Sequence, residues 1–352
     1  MAAPANQGTY FYGFAAGTGA NREDLLDVIT NIDPWDTPFV SQAPKVRATH
    51  VYHEWLKDTL PATSTAGAVE GDDYSFATYG STTTLTRVFN VCQIFRRDVA
   101  STETQRAVNP AGFKDAYAYE VAKNTKAVAR NLEATLFASI TSATGSSAAG
   151  RAMRTFQHTK FLITATTTSE PNINTRSLGT AVSLNMVLTE FDFNELLEVV
   201  YTNGGNPEQC YVSPAVKRVI SGFQTRKSFG TATGDSYGPM NIMNMNAEAK
   251  KVVAAIDVYD SDYGLIQIVL DRWVPQAPDG ASATAGTAGA YDGVAFFLER
   301  AKNRLAWLRP VQHKIIGTSG DNVRGIVLGE VTLEVLNESA NGYIRGIRNP
   351  SS

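Results

Sequence analysis

From residue 109 to residue 142 the sequence holds one helical period without a break, and that run limits the folds open to the chain. Phe113, Tyr117, Val121, Val128, Leu132, Leu136 and Ile140 recur at steps of four and seven, the spacing of a helix packed on one side. Lys114, Lys123, Lys126, Arg130 and Glu133 fall on its other faces. Asn109 suits the N-cap, Pro110 the first turn, and Thr144-Gly145-Ser146 ends the run. At 1.5 Å per residue the rod would reach roughly 50 Å, about three times a typical helix. It lacks sustained heptads, so it is not a coiled coil. A rod of this length in a mixed chain reads as an architectural beam.

The segment before the rod reads as a two-stranded finger. Within residues 47–58, Tyr52, Glu54 and Leu56 alternate with His53, Trp55 and Lys57. Residues 61–80 are rich in Thr, Ala, Gly and Asp, with Tyr74, Phe76 and Tyr79 among them, and predict a tip. Residues 82–97 return as strand through Thr84, Leu85, Val88, Phe89, Val91, Ile94 and Phe95. An isolated ribbon is marginal in water. Such a finger needs a surface to lie on, and a neighbouring subunit is the simplest one.

Around these two features the chain reads as α+β. Residues 1–20 are small, polar and Gly-rich and predict an extended arm. Asn21 would cap a short helix over residues 23–29, and Pro34 and Pro38 then break any helix and favour turns. Residues 150–185 are Thr-rich and irregular. An amphipathic helix is predicted from Val187 to Thr202, with Phe191, Leu196, Leu197, Val200 and Tyr201 as its apolar residues. A strand at 209–212 and a helix from Pro214 to Phe223 follow. Strands are predicted at 252–258, 265–273, 293–298, 304–309, 311–316 and 326–336, with loops at 225–247 and 276–290.

Composition narrows the function classes. The net charge is −3 and only 18% of residues are charged, which argues against a strongly basic nucleic-acid binder. Thr, Ser, Ala, Gly and Asn take the place of charges, and such a surface can meet copies of itself at little desolvation cost. Cys92 and Cys210 show no metal or redox spacing and read as buried thiols in a reducing compartment. No apolar run is long enough to cross a membrane, and the N-terminus lacks the basic start and apolar stretch of a secretory signal. A soluble product folding in a cytoplasm is expected.

No catalytic, cofactor or metal constellation emerges. His53-Glu54 lacks the second histidine of a zinc helix and sits in strand context. Gly17 and Gly19 are two of the three glycines of a dinucleotide loop but follow no apolar strand. Neither a nucleophile elbow nor a P-loop occurs. Asp72-Asp73 lies in Gly/Thr-rich loop context and reads as solvation of a tip.

A set of collinear motifs does point to a family. Asn21-Arg22-Glu23-Asp24-Leu25, Ile32-Asp33-Pro34 and Asp36-Thr37-Pro38-Phe39 resemble the N-terminal signature of SU10-like phage major head proteins, which precedes a segment like His53-Glu54-Trp55. Gly204-Gly205, Val212-Ser213-Pro214 and Lys217-Arg218 are similar to a second stretch of that family. Tyr263-Gly264 and Asp271-Arg272-Trp273-Val274-Pro275 are similar to a third. The order continues through Leu308-Arg309-Pro310, Gly320-Asp321, Gly329-Glu330, Thr332-Leu333-Glu334, Asn337-Glu338 and Gly342-Tyr343-Ile344. Residues 60–80 and 225–247 show no match.

The resemblance implies the HK97-type capsid fold. Residues 1–45 would be the N-terminal arm, 46–98 the extended β-hairpin E-loop, and 99–179 a peripheral domain with its spine helix at 109–142. Residues 180–290 would form the axial domain, and 291–352 the peripheral-domain strands and C-terminus. The implied function is a major capsid protein of the virion, not an enzyme. It would assemble in the bacterial host cytoplasm into pentamers and hexamers of an icosahedral shell, enclosing double-stranded DNA without sequence-specific binding. Scaffold and portal proteins, and a decoration protein, are the implied partners; no cofactor or membrane is implied. Trp55, Tyr74, Phe76 and Tyr79, with Trp35 and Phe39, are the expected inter-subunit anchors, since aromatics carry interfaces; for Trp55, packing within its own chain is an equal alternative. Lys57 with Asn322 or Asn337 would be the residues for a crosslink of the kind some members of the fold form, though no motif supports one. A weakly basic or neutral inner face is expected from the charge. Two rivals stay open: an encapsulin-like shell packaging enzymes, and a hydrolase or carbohydrate-binding protein with a β-rich body.

Overall fold

Strands gather into two sheets and one separate ribbon, and the places where the chain crosses between the sheets organise the molecule. The computed structural model describes residues 33–58, 60, 63, 65, 67, 70–71, 85–108, 112, 114–157, 174–177, 188–225, 257–275, 292–317 and 320–348. In chain order these form α1 (Pro38–Gln42), β1 (Lys45–Arg47), β2 (Tyr52–Lys57), β3 (Thr86–Val91), β4 (Gln93–Thr102), α2 (Glu103–Ala107) and α3 (Ala116–Phe137). Next come β5 (Asn174–Ser177), α4 (Glu190–Thr202), β6 (Gln209–Val212), α5 (Pro214–Ser221), β7 (Val258–Ser261) and β8 (Gly264–Leu270). The chain ends with β9 (Asp292–Leu298), β10 (Asn303–Ile316), β11 (Asn322–Val335) and β12 (Gly342–Arg348).

The first sheet has the order β1-β10-β11-β4, with β1 parallel to β10 and the other pairs antiparallel. Val99, Phe95, Val327, Val331 and Leu333 point from one face into the larger core, where Val128, Leu132 and Leu136 of α3 meet them. Fully burying a leucine such as Leu132 contributes about 1.5–3 kcal/mol, and Leu132 is 1% exposed. The predicted apolar stripe is the one α3 uses: Tyr117, Val128, Leu132 and Leu136 are buried, and Val121 is partly so.

The helix itself is shorter than its period. It begins at Ala116, because the Asp115 side chain accepts the Tyr117 N–H at 2.9 Å and caps it. It ends at Phe137, because the returning segment takes its last carbonyls. Phe156 N–H donates to Leu136 O, Gln157 Nε2 to Phe137 O, and Thr155 Oγ1 to Ala138 O. Ala138 is extended, with ψ 163°. The 22 residues make a rod of about 33 Å rather than 50 Å. The expected cap and first turn, Asn109 and Pro110, lie outside the described residues.

The second sheet has the order β5-β12-β9-β6-β8-β7. β6 is buried along its whole length, so alternate residues serve two cores. Tyr211 and Phe296 face the core shared with α3, while Cys210, Val212 and Phe297 face the core under α4 and α5. α4 starts at a capping box between Thr189 and Asp192. Its buried stripe is Phe193, Leu196, Leu197 and Val200, whereas Phe191 and Tyr201, expected in that stripe, are 72% and 61% exposed. Steps of three and four from Phe193 close the stripe without them.

The terminal strands are divided between the two sheets. β10 and β11 belong to the first sheet, but β9 and β12 pair with each other in the second. The chain leaves the second sheet through a 3-10 turn at Arg300–Lys302 and returns through another at Glu338–Ala340. Asn303 and Asn341, both fully buried, clasp these two crossings. Each amide donates to the other, at 2.7 and 3.2 Å, and Asn341 Oδ1 also accepts the Glu299 N–H at 3.1 Å.

Smaller differences have local causes. Pro38 does not break a helix but opens α1, since its missing N–H falls at an end where none is needed. The expected strands 304–309 and 311–316 are one strand whose register shifts around Arg309–Gln312, where Pro310 cannot donate. Asp260 and Ser261, between the predicted strands 252–258 and 265–273, pair with Leu265 and Gly264. Strand β8 stops at Leu270, short of the predicted Trp273. The predicted helix at 23–29 and the loops at 225–247 and 276–290 fall outside the described residues, apart from Thr225 at the end of a 3-10 turn.

Candidate assembly interface

The finger predicted from the sequence has a defined root. β2 and β3 pair antiparallel from Tyr52↔Val91 to Lys57↔Thr86. The ribbon stops at Val91, and the residues after Cys92, expected to continue it, enter the first sheet as β4 instead. Alternation then gives the ribbon two faces. His53, Trp55 and Lys57 turn toward the body of their own subunit. His53 Nε2 lies 2.8 Å from Glu334 Oε2, the Trp55 indole donates to Val335 O at 3.0 Å, and Lys57 pairs with Glu338. Tyr52, Glu54 and Leu56 face away, and Leu56 is 61% exposed.

This geometry redistributes the expected anchors. Trp55 is held in its own chain and packs against the larger core. Phe39 is 3% exposed, with its ring 5.2 Å from Phe156, 5.6 Å from Tyr211 and 5.9 Å from Phe137. It is a core residue, not an outward anchor, because α1 is pinned to α3 by a buried carboxylate. Trp35 is half exposed, with Lys126 Nζ 4.5 Å above its ring. Tyr74, Phe76 and Tyr79 lie outside the described residues. Among the described residues, the large apolar side chains left outward on and near the ribbon are Tyr52, Leu56, Leu60 and Leu85. The alternation of Leu56 with Trp55 places them on opposite faces, and Trp55 follows the intrachain alternative.

The pin on α1 is Glu133. Its two oxygens accept Phe39 N–H at 2.7 Å and Val40 N–H at 2.8 Å, and the side chain has no solvent exposure. Asp271, also buried, lies beside it and accepts the Trp273 N–H at 2.9 Å. Burial first, and then the Asp271 charge, push the Glu133 carboxyl well above the usual carboxylate range; the Val40 and Phe39 N–H groups oppose this. Asp271 is raised as well, chiefly by burial. Two carboxyls so placed hold a proton between them more readily than two charges. A second buried carboxylate, Glu330, is matched instead by Arg151 at 2.5 Å and Arg309 at 2.8 Å.

These groups do structural work. Cys92 and Cys210 are free and buried, and burial raises both thiols, Cys92 to about 11. A raised thiol is a poor nucleophile at neutral pH. Lys57 pairs with Glu338, and Asn337 caps the turn at 338–340 by accepting the Ser339 N–H at 3.1 Å. Among the described residues no three His, Cys, Asp or Glu side chains group as a metal site, and no helix is long and apolar enough to cross a membrane.

Comparison with known proteins agrees with this architecture. The family model described as SU10 major capsid protein matches residues 7–348. No curated protein sequence matches. The capsid of a native GTA particle is similar at a TM-score of 0.58 and 11% identity, covering 94% of this chain and 97% of that one. The capsid of the cyanophage P-SCSP1u gives 0.53 and 13%, covering 97% and 96%. A holo-SrpI encapsulin complex from Synechococcus elongatus gives 0.54 and 10%, covering 94% of each chain. At these identities the structural likeness shows the fold, and that fold is of the HK97 type.

Proposed function

Since the chain belongs to the SU10 major capsid protein family, with residues 7–348 matching, we propose that its subunits close as pentamers and hexamers into an icosahedral shell around double-stranded DNA. The chain is a phage major capsid protein, one subunit of a multi-subunit shell, and its place is the virion capsid. The span of the family match is the observation that carries this reading. The fold alone would not, because an encapsulin shares it.

The assembly mechanism follows from the ribbon. Its root is clamped to its own subunit by His53, Trp55 and Lys57, which leaves Leu56, Leu60 and Leu85 outward. We assign these leucines, together with the tip residues Tyr74, Phe76 and Tyr79, to contacts with neighbouring subunits. Each contact is modest, and closed symmetry multiplies them. Scaffold and portal proteins, and a decoration protein, would join this lattice during assembly in the host cytoplasm.

Electron microscopy of the expressed protein, with scaffold where needed, tests the reading. Closed shells with nuclease-protected DNA, after assembly in the presence of the phage packaging machinery, are the expected result. Discrete monomers under every condition would refute it, and shells loaded with enzymes in place of DNA would favour the encapsulin alternative. Intact monomers on a boiled, reduced denaturing gel of particles are expected, because Lys57 is occupied by Glu338 within its own chain.

A further inference from the structure

We infer that the outward face of α3 carries a binding strip for the phosphate backbone of nucleic acid. The inference rests on the shell reading above and deepens it, since it names the surface each subunit turns to the genome.

A cavity of about 200 Å³ opens between α3, β4 and the segment around Trp35. Arg97, Lys123, Lys126 and Arg130 line it, and Asp33 is the one carboxylate among the described lining residues. Lys123, Lys126 and Arg130 stand at i, i+3 and i+7, so they share a helix face and form a row about 10 Å long. Two of the three are backed by an indole. Lys126 Nζ is 4.5 Å from the Trp35 ring, and the Arg130 guanidinium is 5.3 Å from the Trp273 ring. The Trp273 indole is itself fixed, donating to Asp36 O at 2.7 Å. Among the described residues neither Lys126 nor Arg130 has a carboxylate at ion-pair distance, while Lys123 has Glu120 at 3.5 Å.

The rest of the chain sharpens the contrast. Its net charge is −3, so a row of three cations of which only Lys123 has a carboxylate at ion-pair distance is a local departure. Exposed acids stand together on other elements: Glu190 and Glu198 on α4, and Asp260 and Asp262 around β7. A polyanion would be repelled there and attracted to α3. A row of cations with aromatic backing suits a ligand whose negative charges repeat along a strand. Each subunit offers only a few phosphate contacts, so a single copy binds weakly and a shell of many copies binds by multivalency. The local strip thereby fits an inner face that is, on average, only weakly basic.

The test uses the full-length unassembled subunit and labelled duplex DNA, read by fluorescence anisotropy over a salt series. Three phosphate contacts predict a slope of log K against log salt of about −2.7. The triple variant Lys123→Gln/Lys126→Gln/Arg130→Gln should lose most of that slope, and Lys126→Gln alone about one unit of it. The single variant decides the matter should the triple variant fail to fold. An unchanged slope in a folded variant overturns the inference. So does binding of inorganic phosphate alone with DNA's affinity, which would mean a single-anion subsite. Preferential binding of polyglutamate over DNA also overturns it, and would mark an acidic protein as the partner. The shell reading is judged separately, by whether the wild-type protein forms closed particles.

Discussion

Replacing Glu133 by Gln should destabilise the subunit at acid pH and do so progressively less as the pH rises. The carboxyl is fully buried and accepts two backbone N–H groups, at 2.7 and 2.8 Å, which hold α1 on α3. Glutamine keeps one acceptor oxygen and turns an N–H₂ toward the other N–H, so one buried donor loses its partner. That costs about 1–3 kcal/mol. The wild-type side has its own pH dependence. Burial and the neighbouring Asp271 raise the Glu133 carboxyl from 4.5 to about 8 in the folded subunit. A group whose folded value is raised binds its proton more tightly when folded. Its contribution is therefore fully present below the unfolded value and is lost as the pH climbs through the folded one. Between about pH 4.5 and pH 8 the wild type should lose stability that the glutamine variant, having no proton to lose there, keeps. Urea denaturation of unassembled subunits at pH 5, 7 and 9, followed by tryptophan fluorescence, reads the difference directly. A gap between wild type and variant that is constant over this range, or that widens with pH, would refute the reasoning. Asp271→Asn should narrow the pH dependence of the wild-type background, because it removes the second charge.

Three other perturbations test other joints of the fold. Asn341→Ala leaves Asn303 Oδ1 and the Glu299 N–H buried without their partner and should cost about 2–5 kcal/mol in denaturant titrations; a loss under 1 kcal/mol would mean the clasp is not structural. Gly325→Ala places a methyl group against the Tyr117 hydroxyl and His313 Nε2, which bond each other at 2.7 Å, and should lower stability by about 1–3 kcal/mol. A wild-type melting curve for that variant would contradict the close approach. Trp55→Phe removes the bond to Val335 O, worth about 0.5–1.5 kcal/mol, and should speed proteolysis between residues 58 and 85 while leaving the cores protected; unchanged cleavage would show that the root is held without it.

Periodicity made the beam and the root of the finger legible, because both are local. The stripe from Tyr117 to Leu136 and the alternation of Tyr52 to Lys57 each follow from the geometry of one element. What was not legible depends on residues far apart in the chain. The end of α3 is set by Thr155, Phe156 and Gln157, which compete for its last carbonyls across a turn, and no periodicity within residues 109–142 records that. The division of the C-terminal strands between two sheets is set by Asn303 and Asn341, which in sequence are two ordinary polar residues. Phe191 and Phe193 illustrate the same limit within one helix: both are apolar, and only the three-four spacing from Phe193 through Val200 tells which is buried.

Two of the expected anchors, Trp55 and Phe39, are held within their own chain, and this bears on how the subunit works. Preferring aromatics assumes that large rings serve interfaces between chains, but a shell subunit must first hold its own projecting parts in place. Trp55 and Phe39 fasten the ribbon and the arm-side helix to the body, through Val335 O and the cluster around Phe137. The ribbon root has to be stiff before outward Leu56 can meet a fixed neighbour. The bonds of His53, Trp55 and Lys57 fall on successive inward positions of β2, and three points on one strand resist twisting where a single point would not. On this argument the rigid aromatic belongs at the hinge. The smaller, replaceable apolar groups belong at the lattice contact, where many weak copies must form and correct themselves before the shell closes.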